Sequence, residues 1–130
     1  MKYAALVYYS EEEMSSMSQS EWDALNRECM ECGERLLERG HLLGGEPLQE
    51  VSTATTLRVR DKKLQLTDGP FAETKEQLAG FYLLEARDLN EAIKLASAIP
   101  PARYGSIEIR PLRELVNEQN VMYASQTHHP

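Results

Sequence analysis

Basic residues are the scarce charge in this chain: 14 Lys and Arg stand against 21 Asp and Glu, a formal net charge of −7 at pH 7. A surface that neutralises many phosphates needs the opposite sign, so nucleic acid is not expected as a direct partner. Long apolar runs are missing too. Nothing approaches the roughly 20 residues of a spanning helix, so no membrane role is expected. Two cysteines cannot build a disulfide framework. There is no P-loop, dinucleotide glycine fingerprint or G-x-S-x-G turn, which leaves nucleotide and acyl-transfer chemistry without support. The start, Met1 to Tyr9, runs into Glu11-Glu12-Glu13 where a signal peptide would carry a small-residue cleavage site. It is read as a strand of a cytoplasmic protein, and 130 residues suit one domain.

What is present has clear periodicity. Tyr3, Ala5, Val7 and Tyr9 interleave with Ala4, Leu6 and Tyr8, so both faces of the first strand are apolar and it is expected to sit centrally. Residues 10–17 read as a polar loop. Ser18-Gln19-Ser20-Glu21 is a capping box, and Trp22, Leu25, Cys29, Cys32 and Leu36 follow at helical spacing up to Gly40, a left-handed stop. His41 to Pro47, with Gly44-Gly45, reads as a short extended stretch and turn. From Thr53 to Asp68 the period is two, with Asp61-Lys62 making a hairpin. A loop leads to a second two-sided strand, Gly80 to Ala86. Asp88-Leu89-Asn90-Glu91 caps a helix whose Leu89, Ala92, Ile93 and Ala96 share a face until Pro100-Pro101. Ser106 to Leu112 closes the pattern, with Ile107 and Ile109 inward and Glu108 and Arg110 outward.

This order predicts a ferredoxin-like α+β domain: a mostly antiparallel sheet with two helices on one face and, relative to the simplest form, an additional strand in the middle. The uncovered face is expected to carry Arg58, Arg60, Lys63, Gln65, Glu108 and Arg110 beside apolar side chains, a surface suited to a partner or a pocket.

The run Thr67-Asp68-Gly69-Pro70-Phe71-Ala72-Glu73-Thr74-Lys75-Glu76-Gln77-Leu78-Ala79-Gly80-Phe81-Tyr82 resembles the signature of the DGPF-motif branch of the YCII-related family. The likeness continues at Ala54-Thr55-Thr56, Ile99-Pro100, Ala102-Arg103-Tyr104-Gly105-Ser106 and Glu108-Ile109-Arg110-Pro111. It covers a domain over residues 1–113 and leaves 114–130 as an extension. The resemblance implies a homodimer, a dimeric α/β-barrel arrangement in which two sheets face one another and enclose a cleft. It also implies association with extracytoplasmic-function sigma factors. The wider family is associated with a His-Asp pair proposed as acid/base machinery; here the first helix has no His, and Ile99 stands where the Asp would precede the proline.

Asp68 and Glu73 are the catalytic candidates. Asp68 shares a side with Leu64 and Leu66, where desolvation would raise a carboxyl's proton affinity; the commoner role of an Asp before Gly-Pro is to accept amides in a turn. Glu73 and Lys75 could reach a ligand at the cleft edge, or pair with each other. Arg58, Arg103 and Arg110 could clamp a carboxylate with their planar forks, the alternative being pairing across subunits with Glu108 or Glu73. Tyr8 and Tyr82 lie on the central strands, where such residues are more often core or interface; Tyr82 joins the ligand-binding candidates. Cys29-x-x-Cys32 sits mid-helix on the apolar stripe, away from the N-terminus that would activate a thiol, and is read as a pair of reduced core thiols. No metal site and no cofactor is expected; His128-His129 would bind metal only adventitiously, and His41 is placed at a helix end. In the extension, Leu115, Val121, Met122 and Tyr123 are expected to dock on a neighbouring subunit or on the sheet edge of their own chain. The leading expectation is a non-catalytic homodimer that binds a small organic acid, or a partner, in the cleft. The runner-up is an isomerase- or lyase-like enzyme using Asp68 or Glu73 as base.

Overall fold

The computed structural model describes residues 1–122. Strand β1 (Lys2–Tyr9) leads to a short helix α1 (Glu11–Met14) and a long one, α2 (Gln19–Glu38). Strands β2 (Leu42–Pro47), β3 (Thr55–Arg60), β4 (Lys63–Asp68) and β5 (Gln77–Glu85) follow, then helix α3 (Leu89–Ala96) and strand β6 (Ser106–Pro111), with 3₁₀ turns at Val51–Thr53 and Pro100–Arg103. Four strands form one sheet in the order β2-β5-β1-β6, and every neighbouring pair is antiparallel. The two-sided apolar strands β1 and β5 are central, as their patterning demands, and the domain is α+β, consistent with a ferredoxin-like arrangement.

Local chemistry sets the helix ends. Ser18 accepts the Glu21 amide while the Glu21 side chain accepts the Ser18 amide, completing the capping box of α2. Gly40, at φ 77°, ends that helix: its amide bonds Leu37 O and the His41 amide bonds Leu36 O, a Schellman pair. His41 then donates from Nδ1 to Glu85 O at 2.9 Å, fastening the helix end to β5. Asp88 caps α3 through the Glu91 amide, and the Glu91 carboxylate takes the Arg87 amide.

Helices α2 and α3 supply the layer on one face. Ala5 and Val7 of β1 and Leu84 of β5 pack with Cys32, Leu36, Ala96 and Ile99, while Tyr3 packs with Ala86 and Ala92. The alanines of α3 bring that helix close to the sheet. Leu89 and Ile93, expected on the same buried face, are instead 49% exposed, because the Ala92–Ala96 stripe is the one turned inward. A Cβ on Gly105 would overlap the Tyr8 carbonyl oxygen, so only glycine lets the chain enter β6 so close to β1.

Two expectations are corrected. Residues 11–14 are a helical turn rather than loop, nucleated by Ser10, whose side chain accepts the Glu13 amide. The β3–β4 hairpin is a separate two-stranded sheet, so Arg58, Arg60, Lys63 and Gln65 do not lie on the open face of the main sheet. Alternation specifies a hairpin but not which sheet receives it.

In the extension, Val116 and Met122 form an isolated antiparallel bridge around a turn in which Asn117 Oδ1 accepts the Gln119 and Val121 amides. Leu115 and Val121 are 47% and 58% exposed. Tyr123, His128 and His129 lie outside the described residues.

Candidate functional site on the open sheet face

Side chains that alternate away from the helices build this face. Directly opposed strand residues share a side of the sheet, so the register places Ala4, Leu6 and Tyr8 of β1 with Leu83 and Phe81 of β5 and with Arg110, Glu108 and Ser106 of β6. The centre is apolar: Ala4, Leu6, Phe81 and Leu83 are all half-buried with no helix above them. Its β6 side is polar. Tyr8 donates its phenol to Glu108 Oε1 at 3.3 Å, and Arg110 Nε donates to Glu108 Oε2 at 3.1 Å. Burial pushes the Tyr8 phenol above its ordinary value, and the Glu108 charge pushes it further in the same direction. Tyr8 is therefore a protonated donor at neutral pH, and Glu108 bridges it to a guanidinium whose other N–H groups have no partner among the described residues.

The loop before β5 fixes one end of this face. Gln77 Oε1 accepts the Glu11 amide and Gln77 Nε2 donates to Thr74 O. Glu76 accepts from the Ser106 hydroxyl at 2.7 Å, tying the loop to β6. Neither Glu76 nor Gln77 stands out in the sequence, where they close a polar run with no periodicity.

The candidates read from sequence are dispersed. Arg110 is on the open face, paired with Glu108 of its own strand. Arg103 lies on the helix side, ion-paired with Glu28 of α2 at 2.7 Å and stacked near the Tyr104 ring. Tyr82 also faces the helices, packed on the core cluster, where burial foremost and the Cys29 and Cys32 sulfurs secondarily push its phenol up to about 12. Arg58 and Asp68 are exposed on the hairpin, and Glu73 and Lys75 in the loop after it. Asp68 does lie on the side of Leu64 and Leu66. The corner at Gly69-Pro70, however, is held by the Gly69 amide on Ala54 O and the Thr56 hydroxyl on Gly69 O; among the described residues no amide bonds the Asp68 side chain. Glu73 and Lys75 form no ion pair among the described residues.

Against known proteins, the model of the YCII-related domain matches residues 1–116. The chain belongs to the YCII-related family. An uncharacterised protein of Rhizobium meliloti (strain 1021) is 39% identical over 114 residues, which is 86% of this chain and 92% of that protein. Within this YCII-related domain the buried groups carry no acid/base pair: Ile99 is 1% exposed in the core, immediately before Pro100. Cys32 is equally buried, its thiol directed at Ala98 O, and burial pushes both the Cys29 and Cys32 thiols up. These are features of reduced, packed cysteines.

A second concavity lies off the open face. A cleft of about 580 Å³ runs between Tyr9, Trp22 and Leu48, floored by Met14 and edged by Glu11 and Glu50. Tyr9 and Trp22 meet edge to face with centroids 6.4 Å apart, and the Val51 amide bonds Glu11 Oε2. These contacts pin the start of α2 to the end of β1, and α1 to the segment after β2.

Proposed function

We propose that this YCII-related chain is a homodimeric binding module of the DGPF-motif branch, cytoplasmic and working in sigma-factor-linked regulation, which holds a small organic acid over the open face of its sheet. The observation that carries the reading is the juxtaposition on that face: an uncovered apolar centre beside the Tyr8–Glu108–Arg110 network. An aromatic or branched apolar body would lie on Leu6, Phe81 and Leu83. Its carboxylate would meet the free edge of the Arg110 guanidinium, whose fork matches a carboxylate bidentately. The Arg110–Glu108 pair is exposed and contributes only about 0–1 kcal/mol, so a ligand that rearranges it gives up little. Two such faces brought together would enclose the ligand and raise the value of each polar contact by excluding water. Acid/base catalysis through Asp68 or Glu73 has less behind it, since both are exposed and stand apart from this network.

The test is a thermal-shift screen of small aromatic and branched carboxylic acids on the wild type and on Arg110→Ala. A true ligand at a hundredfold excess over its Kd stabilises the native state by about 2.7 kcal/mol. The wild type should gain several degrees with one chemical subset, and Arg110→Ala should lose that gain while keeping its own unliganded melting temperature. Equal gains in both proteins, or none in either, would refute the site.

A further inference from the structure

The cleft between Tyr9, Trp22 and Leu48 is lined by two carboxylates, Glu11 and Glu50, and by no Lys, Arg or His. At about 580 Å³ it falls within the range of small-molecule sites. It sits where the end of β1 meets the start of α2, apart from the open face.

Its central acid is held in place. The Glu11 amide donates to Gln77 Oε1 at 2.8 Å and its own Oε2 accepts the Val51 amide at 3.1 Å, which fixes the residue from both ends. Glu11 is half-buried, yet among the described residues its Oε1 has no hydrogen-bond partner and its carboxylate no ion pair. A carboxylate drawn out of water calls for a cation. Burial foremost, and the Glu11 charge after it, push the Tyr9 phenol up, so that ring stays neutral at pH 7 and the negative charge of the cleft rests on its carboxylates. Glu50 stands exposed at the rim, its carbonyl accepting the Thr53 amide and hydroxyl.

The rings say which cation. Tyr9 and Trp22 meet edge to face, so the ring that gives its edge keeps both faces clear of the other, and such a face attracts an ammonium within about 6 Å. A metal ion needs more oxygen ligands than these, and among the described residues no three acidic, His or Cys side chains converge to hold one. Met14 and Leu48 line the same space and suit an organic body rather than a hydration shell. The net charge of −7 favours the approach of any cation.

We propose that this cleft binds a small organic ammonium ion, whose head lies between the aromatic pair and Glu11 Oε1 and whose apolar body lies on Met14 and Leu48. Glu50 adds a weaker, water-screened attraction at the mouth. The site is independent of any acid held on the open face.

Trp22 is the sole tryptophan, so its fluorescence reads the cleft directly. The full-length protein at pH 7 is titrated with phenethylamine, with neutral phenethyl alcohol and with anionic hydrocinnamate, and the amine titration is repeated on Glu11→Gln and Glu38→Gln. The first variant loses the charge but keeps an oxygen for the Val51 amide; the second removes one charge at the far end of α2. The expected result is a saturable change with the amine, binding roughly tenfold or more tighter than the alcohol, and no response to hydrocinnamate. Glu11→Gln should raise the Kd for the amine roughly tenfold, and Glu38→Gln should leave it unchanged. No saturable response, equal affinity for amine and alcohol, or an amine titration unaltered by Glu11→Gln would overturn the site. Nα-acetyl-lysine amide carries the same head on a peptide-like body, and tighter binding of it than of phenethylamine would overturn the small molecule in favour of a partner's lysine. Should Glu11→Gln fail to fold, the wild type's ranking of amine, alcohol and carboxylate decides alone.

Discussion

Leu83 and Leu84 are neighbours on β5 that face opposite ways, and truncating each to alanine measures the two sides of the sheet. Leu84 is fully buried, opposite Tyr3 on β1 and Leu42 on β2 and packed in the core cluster. With no room for a rigid sheet and two helices to collapse, Leu84→Ala should cost about 3–4 kcal/mol, the transfer loss plus most of a cavity term. For a domain of this length that is a fall in melting temperature of about 12–16 °C. Leu83 is half-buried on the open face, so in an isolated chain Leu83→Ala forfeits about 1 kcal/mol of burial. If two copies cover that face, the Leu83→Ala penalty grows with protein concentration, whereas the Leu84→Ala penalty does not. Urea unfolding at two protein concentrations, with slopes compared to confirm a common transition, reads both effects. A Leu84→Ala cost below about 1 kcal/mol would refute the described packing, and a Leu83→Ala cost independent of concentration would refute coverage by a second copy.

Three further outcomes are expected. Folded Tyr82 titrates near 12 against about 10 when unfolded, so its share of stability is intact below pH 10 and is lost as pH rises toward 12; Tyr82→Phe should remove one late tyrosinate step in ultraviolet absorbance and flatten the alkaline fall in stability. Gly105→Ala forces a Cβ against the Tyr8 carbonyl oxygen and within 2.8 Å of Tyr9 Cα, and should lower the unfolding free energy measured in urea by about 2 kcal/mol or more, while Gly33→Ala, with open space around its Cβ, should not destabilise. Cys32 should resist Ellman's reagent at pH 8 until the protein unfolds, with Cys29 reacting slowly, since burial disfavours both thiolates; rapid reaction of two thiols would show that α2 is not packed as described.

Much of the architecture was legible because it is written in local chemistry. The Ser18 and Asp88 caps, the Gly40 stop, the two-sided β1 and β5 and the parity of β6 each follow from one residue type or one period. What was not legible depended on distance along the chain. Leu57, Val59, Leu64 and Leu66 alternate as a strand pair should, yet nothing local says that they leave the main sheet. On the site, parity placed Glu108 and Arg110 outward, and the even positions of β1 place Tyr8 beside them once the register is known. Tyr82 and Arg103 fall on the helix side, which only the pairing of β5 and the Glu28 contact decide. Glu76 and Gln77 escaped notice because a loop residue acquires its meaning from whatever the fold brings next to it.

The edges of the two sheets are guarded differently. In the main sheet, β2 is short, shifted in register near Gly44 and ended by Pro47, which cannot donate to an incoming strand. The β6 edge alternates with Glu108 and Arg110 and stops at Pro111. The hairpin has neither proline nor bulge; its bare backbone edges are defended by Arg58, Arg60, Lys62 and Lys63 alone. Defence by charge fades where defence by geometry does not. At molar salt, where charges see only about 3 Å, residues 55–68 become the place where unwanted strand-to-strand growth begins, and the four-stranded sheet stays closed to it.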